Sequence, residues 1–335
     1  MIMESLNHQL KLNPQIFELS VKQQAIRDGF GEGLVIAGEN DNQVVTVCSD
    51  LSESTRVDKF AEKFPNRFIQ VGVAEQNLAS VASGLAAMGK IPFITSYAIF
   101  SPGRNWEQIR TTICYNNQNV KIVGSHAGVS VGPDGGSHQA LEDIAITRVI
   151  PRMTVLVPTD AEEAKKATLA AAKIKGPVYL RLARHKTPII TTSETPFVIS
   201  QANVLIESLN PEALIIACGP MVWQALMAAK TLLAEGLSVT VVNCHSIKPI
   251  DSKTIVKLAS QAGAVVTAEE HQIIGGLGSA VAEILALEHP VPMEFVGVDD
   301  KFGQSGTPAE LFDHYSLTAK DIIRAVRRVI KRKNI

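Results

Sequence analysis

The sequence predicts an α/β protein of two doubly wound domains, each built on a parallel sheet, the second smaller than the first. Three observations carry that expectation. Short apolar, β-branched runs alternate with amphipathic helical stretches along the chain. The alternation lapses once, at HKTPIITTSETPFVIS (185–200), where proline, threonine and serine make a linker candidate. The chain has 335 residues, enough for about two domains.

The elements follow in order. VVTVCSD, FIQVGV, IPFITSY, VKIVGSHA, MTVLVP and PVYLRLA read as strands. EQNLASVASGLAAMGK and DAEEAKKATLAAAKIKG read as helices between them. For the latter, Thr159 three residues before Glu162 resembles a capping box, and Gly176 a stop. After the lapse, ALIIACG, SVTVVNC, AVVTAEE and MEFVGV read as strands. Helices are expected at about 220–236, after Pro249, after Gly278 and over LTAKDIIRAVRRVIKRK. Strand–helix alternation of this kind argues for a parallel sheet with helices on its faces. The domains are expected at 15–190 and 198–335.

Composition bounds the function. The chain is 46% hydrophobic and 19% charged, with a net charge of -1, so it can bury a sizeable core. Nothing in the charge points to nucleic acid or an anionic membrane as partner. The basic tail RRVIKRKN reads as a solvated helix end suited to the helix dipole. Cys48, Cys114, Cys218 and Cys244 are scattered, with no CxxC and no zinc spacing. They read as reduced core residues of a cytoplasmic protein. The N-terminal MIMESLNHQLKLNPQ lacks the pattern of a signal peptide. No run approaches the ~18 apolar residues of a membrane span.

Three segments carry polar chemistry. GGLG (275–278) resembles a fragment of a dinucleotide loop but lacks the full GxGxxG and its acidic residue; a tight turn into a helix explains it. VGVAEQN places Glu75 where an apolar strand ends and a helix opens. Ligands bind at the carboxyl ends of strands in such sheets. A carboxylate in an apolar setting there could donate or share a proton, though an acid serving the helix dipole is equally compatible. HAGVSVGPDGGSHQALED gathers His126, Asp134 and His138 around Gly132, Gly135 and Gly136. Glycines allow positive φ and close backbone approach to a ligand, and the polar groups suit proton transfer or phosphate binding.

GVAEQNLASVASGLAAMGKIPFITSYAIF, SHAGVSVGPDGGSHQALEDIA, PRMTVLVPTDAEEAKKA and GPVYLRLAR closely resemble the pyrimidine-binding domain of transketolase. VVNCHSIKPID, TAEEHQIIGGLGSAVAE and GVDDKFGQSGTPAELFDHY resemble its C-terminal domain. The resemblance covers about residues 15–335 and is strongest to the C-terminal subunit of transketolases split across two chains.

The resemblance implies residue roles. Glu75 matches the glutamate that hydrogen-bonds N1′ of the aminopyrimidine of thiamine diphosphate and so tunes the cofactor. Tyr97 and Phe100 match aromatics that flank the pyrimidine. Asp50 and Leu51 match a cofactor-contacting pair. Arg27, Ser54, His126 and Arg184 match the groups that hold a sugar phosphate, a task for which arginine's planar fork is suited. Asp134 matches the residue that reads the donor's hydroxyl configuration, and His138 a proton-transfer and orienting histidine near the reacting carbonyl. Two departures bear on the sugar accepted. Gly103 lies near the position of the third aromatic of the usual cluster, and Pro133 stands where an acidic residue is common.

The family's diphosphate domain holds Mg²⁺ through a GDG segment and a later asparagine, and this chain contains no GDG. The resemblance therefore implies that an N-terminal partner subunit binds the diphosphate and its Mg²⁺ or Ca²⁺, with no metal site here. It implies a heterotetramer, two of these chains forming a dimer within it. The expected activity is transfer of a two-carbon ketol unit from a ketose phosphate to an aldose phosphate. The alternatives are a 1-deoxyxylulose-5-phosphate synthase-like enzyme, a 2-oxo acid dehydrogenase β subunit, and a non-catalytic orphan subunit. The second domain has no assigned role, and His271 reads as structural or interfacial.

Overall fold

Each apolar run expected as a strand pairs in one of two sheets of the computed structural model, which describes residues 5–18 and 20–333. The strands are β1 (Gln23–Ala25), β2 (Val44–Cys48), β3 (Phe68–Gln70), β4 (Ile91–Tyr97), β5 (Lys121–Ser125), β6 (Thr154–Leu156), β7 (Val178–Arg181), β8 (Lys186–Pro188), β9 (Asn203–Ile206), β10 (Ala213–Ala217), β11 (Val239–Asn243), β12 (Ser246–Lys248), β13 (Val265–Gln272) and β14 (Met293–Val298). The first sheet runs β12-β6-β7-β5-β4-β2-β3 and the second β14-β13-β10-β11-β9. Their central strands are parallel. β2, β5 and β10 are buried at every position, as parallel strands covered by helices on both faces must be. In β4–β5 register, Tyr97 pairs with Ser125. That places the last residues of both strands on one edge, and the site grows from it.

Four features depart from the sequence expectation. The segment 185–200 is not a loose linker. β8 pairs antiparallel with β1, and Ile190, Thr191 and Thr195 are buried. The Asp160 carboxylate accepts the N–H groups of Ile190 and Thr191, both at 2.7 Å. Those bonds satisfy backbone donors that burial would otherwise leave unmet. Next, the two halves share a sheet and a core, which the sequence did not foretell. β12, from the second half, adds antiparallel to β6 of the first sheet. One apolar core joins Val47, Leu78 and Ile94 to Leu214, Val242 and Leu277. The N-terminal segment bridges the halves too, through Asn7 N–H to the Leu205 carbonyl and Asn13 N–H to the Ile190 carbonyl.

The third departure is a cap displaced by one residue. Asp160, not Thr159, caps the helix Ala161–Lys173 and accepts from Glu163 N–H at 2.8 Å. Glu163 reaches back to Thr159 N–H at 2.7 Å. Gly176 lies beyond the helix end rather than at it. Fourth, the basic tail is solvated as expected, but its arginines are also ion-paired. Arg328 and Arg332 pair with Glu294 at 2.9 and 2.8 Å, and Arg327 with Glu235 at 2.6 Å; Asn334 lies outside the described residues.

The GGLG turn is a turn into the helix Leu277–Glu288, with Gly275 at φ 82°. The helix N-terminus is already occupied by a carboxyl group. The buried Glu269 carboxylate accepts Leu277 N–H at 2.7 Å and Gly278 N–H at 2.8 Å, filling the place a phosphate would take. All four cysteines are buried and free. Among the described residues no helix is long and apolar enough to cross a membrane.

Candidate active site

The site is built on the carboxyl ends of β2, β4, β5 and β7. Glu75 opens the helix Glu75–Ala87 after the short loop that follows β3 and is 1% exposed. Its surroundings are polar rather than apolar, against the sequence expectation. Ser96 Oγ, near the end of β4, donates to Glu75 Oε1 at 3.1 Å. Arg104 Nη1 donates to Oε2 at 2.9 Å. Asn105 Nδ2 donates to the Glu75 carbonyl at 2.9 Å and to Ser101 Oγ at 3.1 Å. These bonds lock the side chain at the head of its helix.

Tyr97 ends β4 and Phe100 follows it in a turn. Their rings are 6.3 Å apart and 14° from parallel. His126 follows the last residue of β5 at φ 57°, and its ring stacks on Tyr97 with centroids 3.9 Å apart. His138 stands edge-on to Phe100 at 5.4 Å. Tyr97, Phe100, His126 and His138 are therefore one ring cluster, and Arg104 links it to Glu75 through Phe100.

His126 continues it to the arginines. Arg27 Nη1 lies 3.1 Å from His126 Nε2 and 2.7 Å from the Ser54 carbonyl oxygen. A guanidinium only donates, so Nε2 accepts, and the ring proton belongs on Nδ1, 2.8 Å from Ser125 Oγ. Burial, then the charges of Arg27, Arg184 and Arg56, push the imidazole down to about 2; it is neutral. Burial, then Arg56, lowers the Arg27 guanidinium from its ordinary value. Arg184 donates to the Val131 carbonyl at 2.9 Å. Ser54 thus meets Arg27 through its carbonyl rather than its hydroxyl, and His126 Nε2 is an acceptor rather than a donor.

Asp50 is exposed at φ 59°, its N–H donating to Gln70 Oε1 at 2.7 Å. Leu51 is half-buried beside it, its N–H 3.4 Å from Cys48 Sγ. Asp134 is exposed at the end of the turn Val129–Asp134.

The glycine loop is close to protein instead of offering its backbone to a ligand. A Cβ at Gly136 would lie 2.5 Å from the Gly303 carbonyl oxygen, and one at Gly135 2.6 Å from Ser305 Oγ. Gln139 Nε2 donates to the Gln304 carbonyl, and Ser130 N–H to Glu270 Oε1 at 2.6 Å. The second half thus has a role the sequence left open, since it buttresses the loop between His126 and His138. His271 is structural, fully buried, with Nδ1 2.8 Å from the Gln272 carbonyl oxygen. Burial pushes it down to about 4.

Sequence reasoning missed Arg104, Ser96 and Asn105. The available signal was spacing: Arg104 and Asn105 lie four residues after Phe100 and Ser101, across a proline-containing turn that brings each back to its partner. Gly103 also has its reason here. A Cβ there would lie 1.9 Å from the Ile99 carbonyl oxygen, which leaves no room for an aromatic on this backbone.

With that geometry in place, comparison with known proteins is direct. Residues 22–189 match the family described as transketolase, pyrimidine binding domain, and 201–322 that described as transketolase, C-terminal domain. The chain belongs to the transketolase family. It is 42% identical over 319 residues to a putative transketolase C-terminal section of Methanocaldococcus jannaschii, covering 94% of this chain and 99% of that one. It is 40% identical over 320 residues to a 6-deoxy-6-sulfo-D-fructose transketolase subunit of Clostridium sp. (strain MSTE9), covering 96% and 99%. A solved structure of a split-gene transketolase, an inactive β4 tetramer, superposes with a TM-score of 0.86 at 47% identity, covering 92% of this chain and 99% of that one.

The family uses thiamine diphosphate, and the residues present fit one end of it. A buried carboxylate beside two near-parallel aromatic rings provides an edge acceptor and flat faces, which suit an aminopyrimidine. For the diphosphate end, among the described residues no group of three or more His, Cys, Asp or Glu is placed to hold a metal ion.

Proposed function

We propose that this chain is the C-terminal subunit of a two-chain transketolase and transfers a two-carbon ketol unit from a ketose phosphate to an aldose phosphate once an N-terminal subunit joins it. The observation that carries the reading is the continuous constellation from Glu75 through Tyr97 and His126 to Arg27. Its two ends have different chemistry. At one, a buried carboxylate meets aromatic faces. At the other, arginines suit an anionic substrate tail, and the neutral His126 imidazole orients Arg27 toward it. A 2-oxo acid dehydrogenase has no need of that second end.

When bound, thiamine diphosphate supplies a carbanion equivalent that accepts the ketol unit. Glu75 would hydrogen-bond N1′ of the pyrimidine and orient it, sharing a proton with that nitrogen, while Tyr97 and Phe100 would hold the ring plane and Asp50 and Leu51 border it. Arg27, Arg184, Ser54 and His126 hold the sugar's anionic tail. Asp134 reads a donor hydroxyl at the rim. His138 orients the reacting carbonyl and moves a proton there. Mg²⁺ or Ca²⁺ and the diphosphate belong to the partner subunit. The domain division at 15–190 and 198–335, a cytoplasmic location and a heterotetramer of two chains of each kind are part of the same reading.

The name of the Clostridium relative favours a second reading of the substrate, a ketose whose tail is a sulfonate. An arginine cluster accepts either anion.

The test mixes the purified chain with an N-terminal partner, thiamine diphosphate and Mg²⁺. Ketol transfer is then measured from xylulose 5-phosphate and from 6-deoxy-6-sulfofructose. Activity is expected only with both chains, with near-total loss for Glu75→Ala. Full activity from this chain alone would overturn the split-subunit reading. A preference for the sulfonate would select the second substrate.

A further inference from the structure

The carboxylate of Glu75 is held by two donors of different character. Ser96 is fully buried, on a central strand, and cannot leave Oε1. Arg104 approaches Oε2 from the open side, in a turn, with its side chain 51% exposed. Its guanidinium carbon also lies 4.8 Å from the centroid of Phe100. Asn105, next in sequence, is buried and fixes the backbone at this point through the Glu75 carbonyl and Ser101. The turn is therefore anchored while the arginine side chain is free to swing. Of the two groups that hold the carboxylate, Arg104 is the one that faces solvent.

We propose that Arg104 is a displaceable counter-ion for Glu75: it occupies Oε2 in the unassembled chain and yields it to the pyrimidine edge of the cofactor presented by the partner subunit, where N1′ takes up a proton from solvent and so becomes both the donor and the new counter-charge. The inference rests on the function proposed above. Two physical points carry it. A buried carboxylate left without a counter-charge is costly, so a chain awaiting its partner needs one. An arginine with half its side chain in water regains hydration when it leaves, so the contact it gives up is weak enough to be exchanged. Ser96 stays on Oε1 throughout and preserves the orientation of the carboxylate. Arg104 is thus a positioning residue, and the Phe100 face gives its guanidinium a second contact when it releases.

Calorimetric titration of thiamine diphosphate into this chain plus its N-terminal partner and Mg²⁺ tests the proposal. Wild type is compared with Arg104→Met and Arg104→Lys. An analogue with carbon in place of the pyrimidine N1′ is titrated in parallel. Arg104→Met is expected to bind the cofactor about three- to tenfold more tightly, because no ion pair has to open. Arg104→Lys is expected to stay near wild type. The analogue, which cannot bond Glu75, should bind wild type and Arg104→Met equally. Unchanged or weaker cofactor binding by Arg104→Met would overturn the proposal. So would an equal gain for cofactor and analogue, which would mean that removing the arginine merely opens the slot. Failure of every variant, wild type included, to bind the cofactor would instead overturn the function on which the inference rests.

Discussion

Arg27 and His126 share a hydrogen bond in which the imidazole is the acceptor, Nη1 to Nε2 at 3.1 Å. The two residues come from a helix start and a strand end 99 positions apart. Their pairing joins the aromatic slot to the arginine cluster, because the His126 ring also stacks on Tyr97.

Arg27→Met is expected to raise the KM for a ketose phosphate by about ten- to a hundredfold, the loss of one charge-assisted contact. The fall in kcat should be smaller. Combining it with His126→Gln should cost less than the sum of the single losses, since the two side chains act through one bond. Strict additivity in steady-state kinetics of the assembled enzyme would contradict that coupling.

Glu270 gives a pH signature. Burial pushes its carboxyl up to about 7, and Arg181 and the Ser130 bonds oppose this. A carboxyl raised in the folded state contributes stability that is fully present below its unfolded value and is lost as pH rises through the folded one. Between pH 6 and pH 8 it therefore loses about 1 kcal/mol. Buried Glu269 lies close by in the chain and is also pushed up to about 7. The histidines held low titrate alike in wild type and variant and cancel in the difference. Urea denaturation of wild type and Glu270→Gln at both pH values should show a pH 6-to-8 change that differs by about 1 kcal/mol, with the variant losing less. Identical pH dependence would show that Glu270 does not titrate there.

Gly136→Ala is expected to cost about 1–3 kcal/mol, because its Cβ would meet the Gly303 carbonyl oxygen at 2.5 Å and backbone must move. The shift displaces the loop that presents His138, so the assembled enzyme should lose activity beyond what its midpoint of unfolding explains. A variant with normal stability and normal activity would show that the loop does not depend on the second half.

Much of the fold is legible from hydrophobic patterning. Every apolar run expected as a strand is one, because a parallel strand covered on both faces requires continuous apolar sequence. What patterning misses are short strands without that signature. β12, with the sequence SIK, and β8, KTP, are placed by partners distant in sequence. The cap shift from Thr159 to Asp160 has a similar origin. Both residues are cap formers, and the long-range bonds from Ile190 and Thr191 to Asp160 decide between them.

The sequence by itself determined the alternating α/β architecture, the family resemblance and the residue types that meet at the strand ends. Tertiary structure alone decided three things about their chemistry. It set Glu75 against Ser96 and Arg104 rather than in an apolar pocket. It made His126 an acceptor from Arg27. It turned the glycines at 135 and 136 toward the backbone and side chains of the second half. The physical reason is common to all three. Periodicity reports which residues are buried, whereas the partner of a buried polar group depends on chain segments brought together only when the sheets and helices pack.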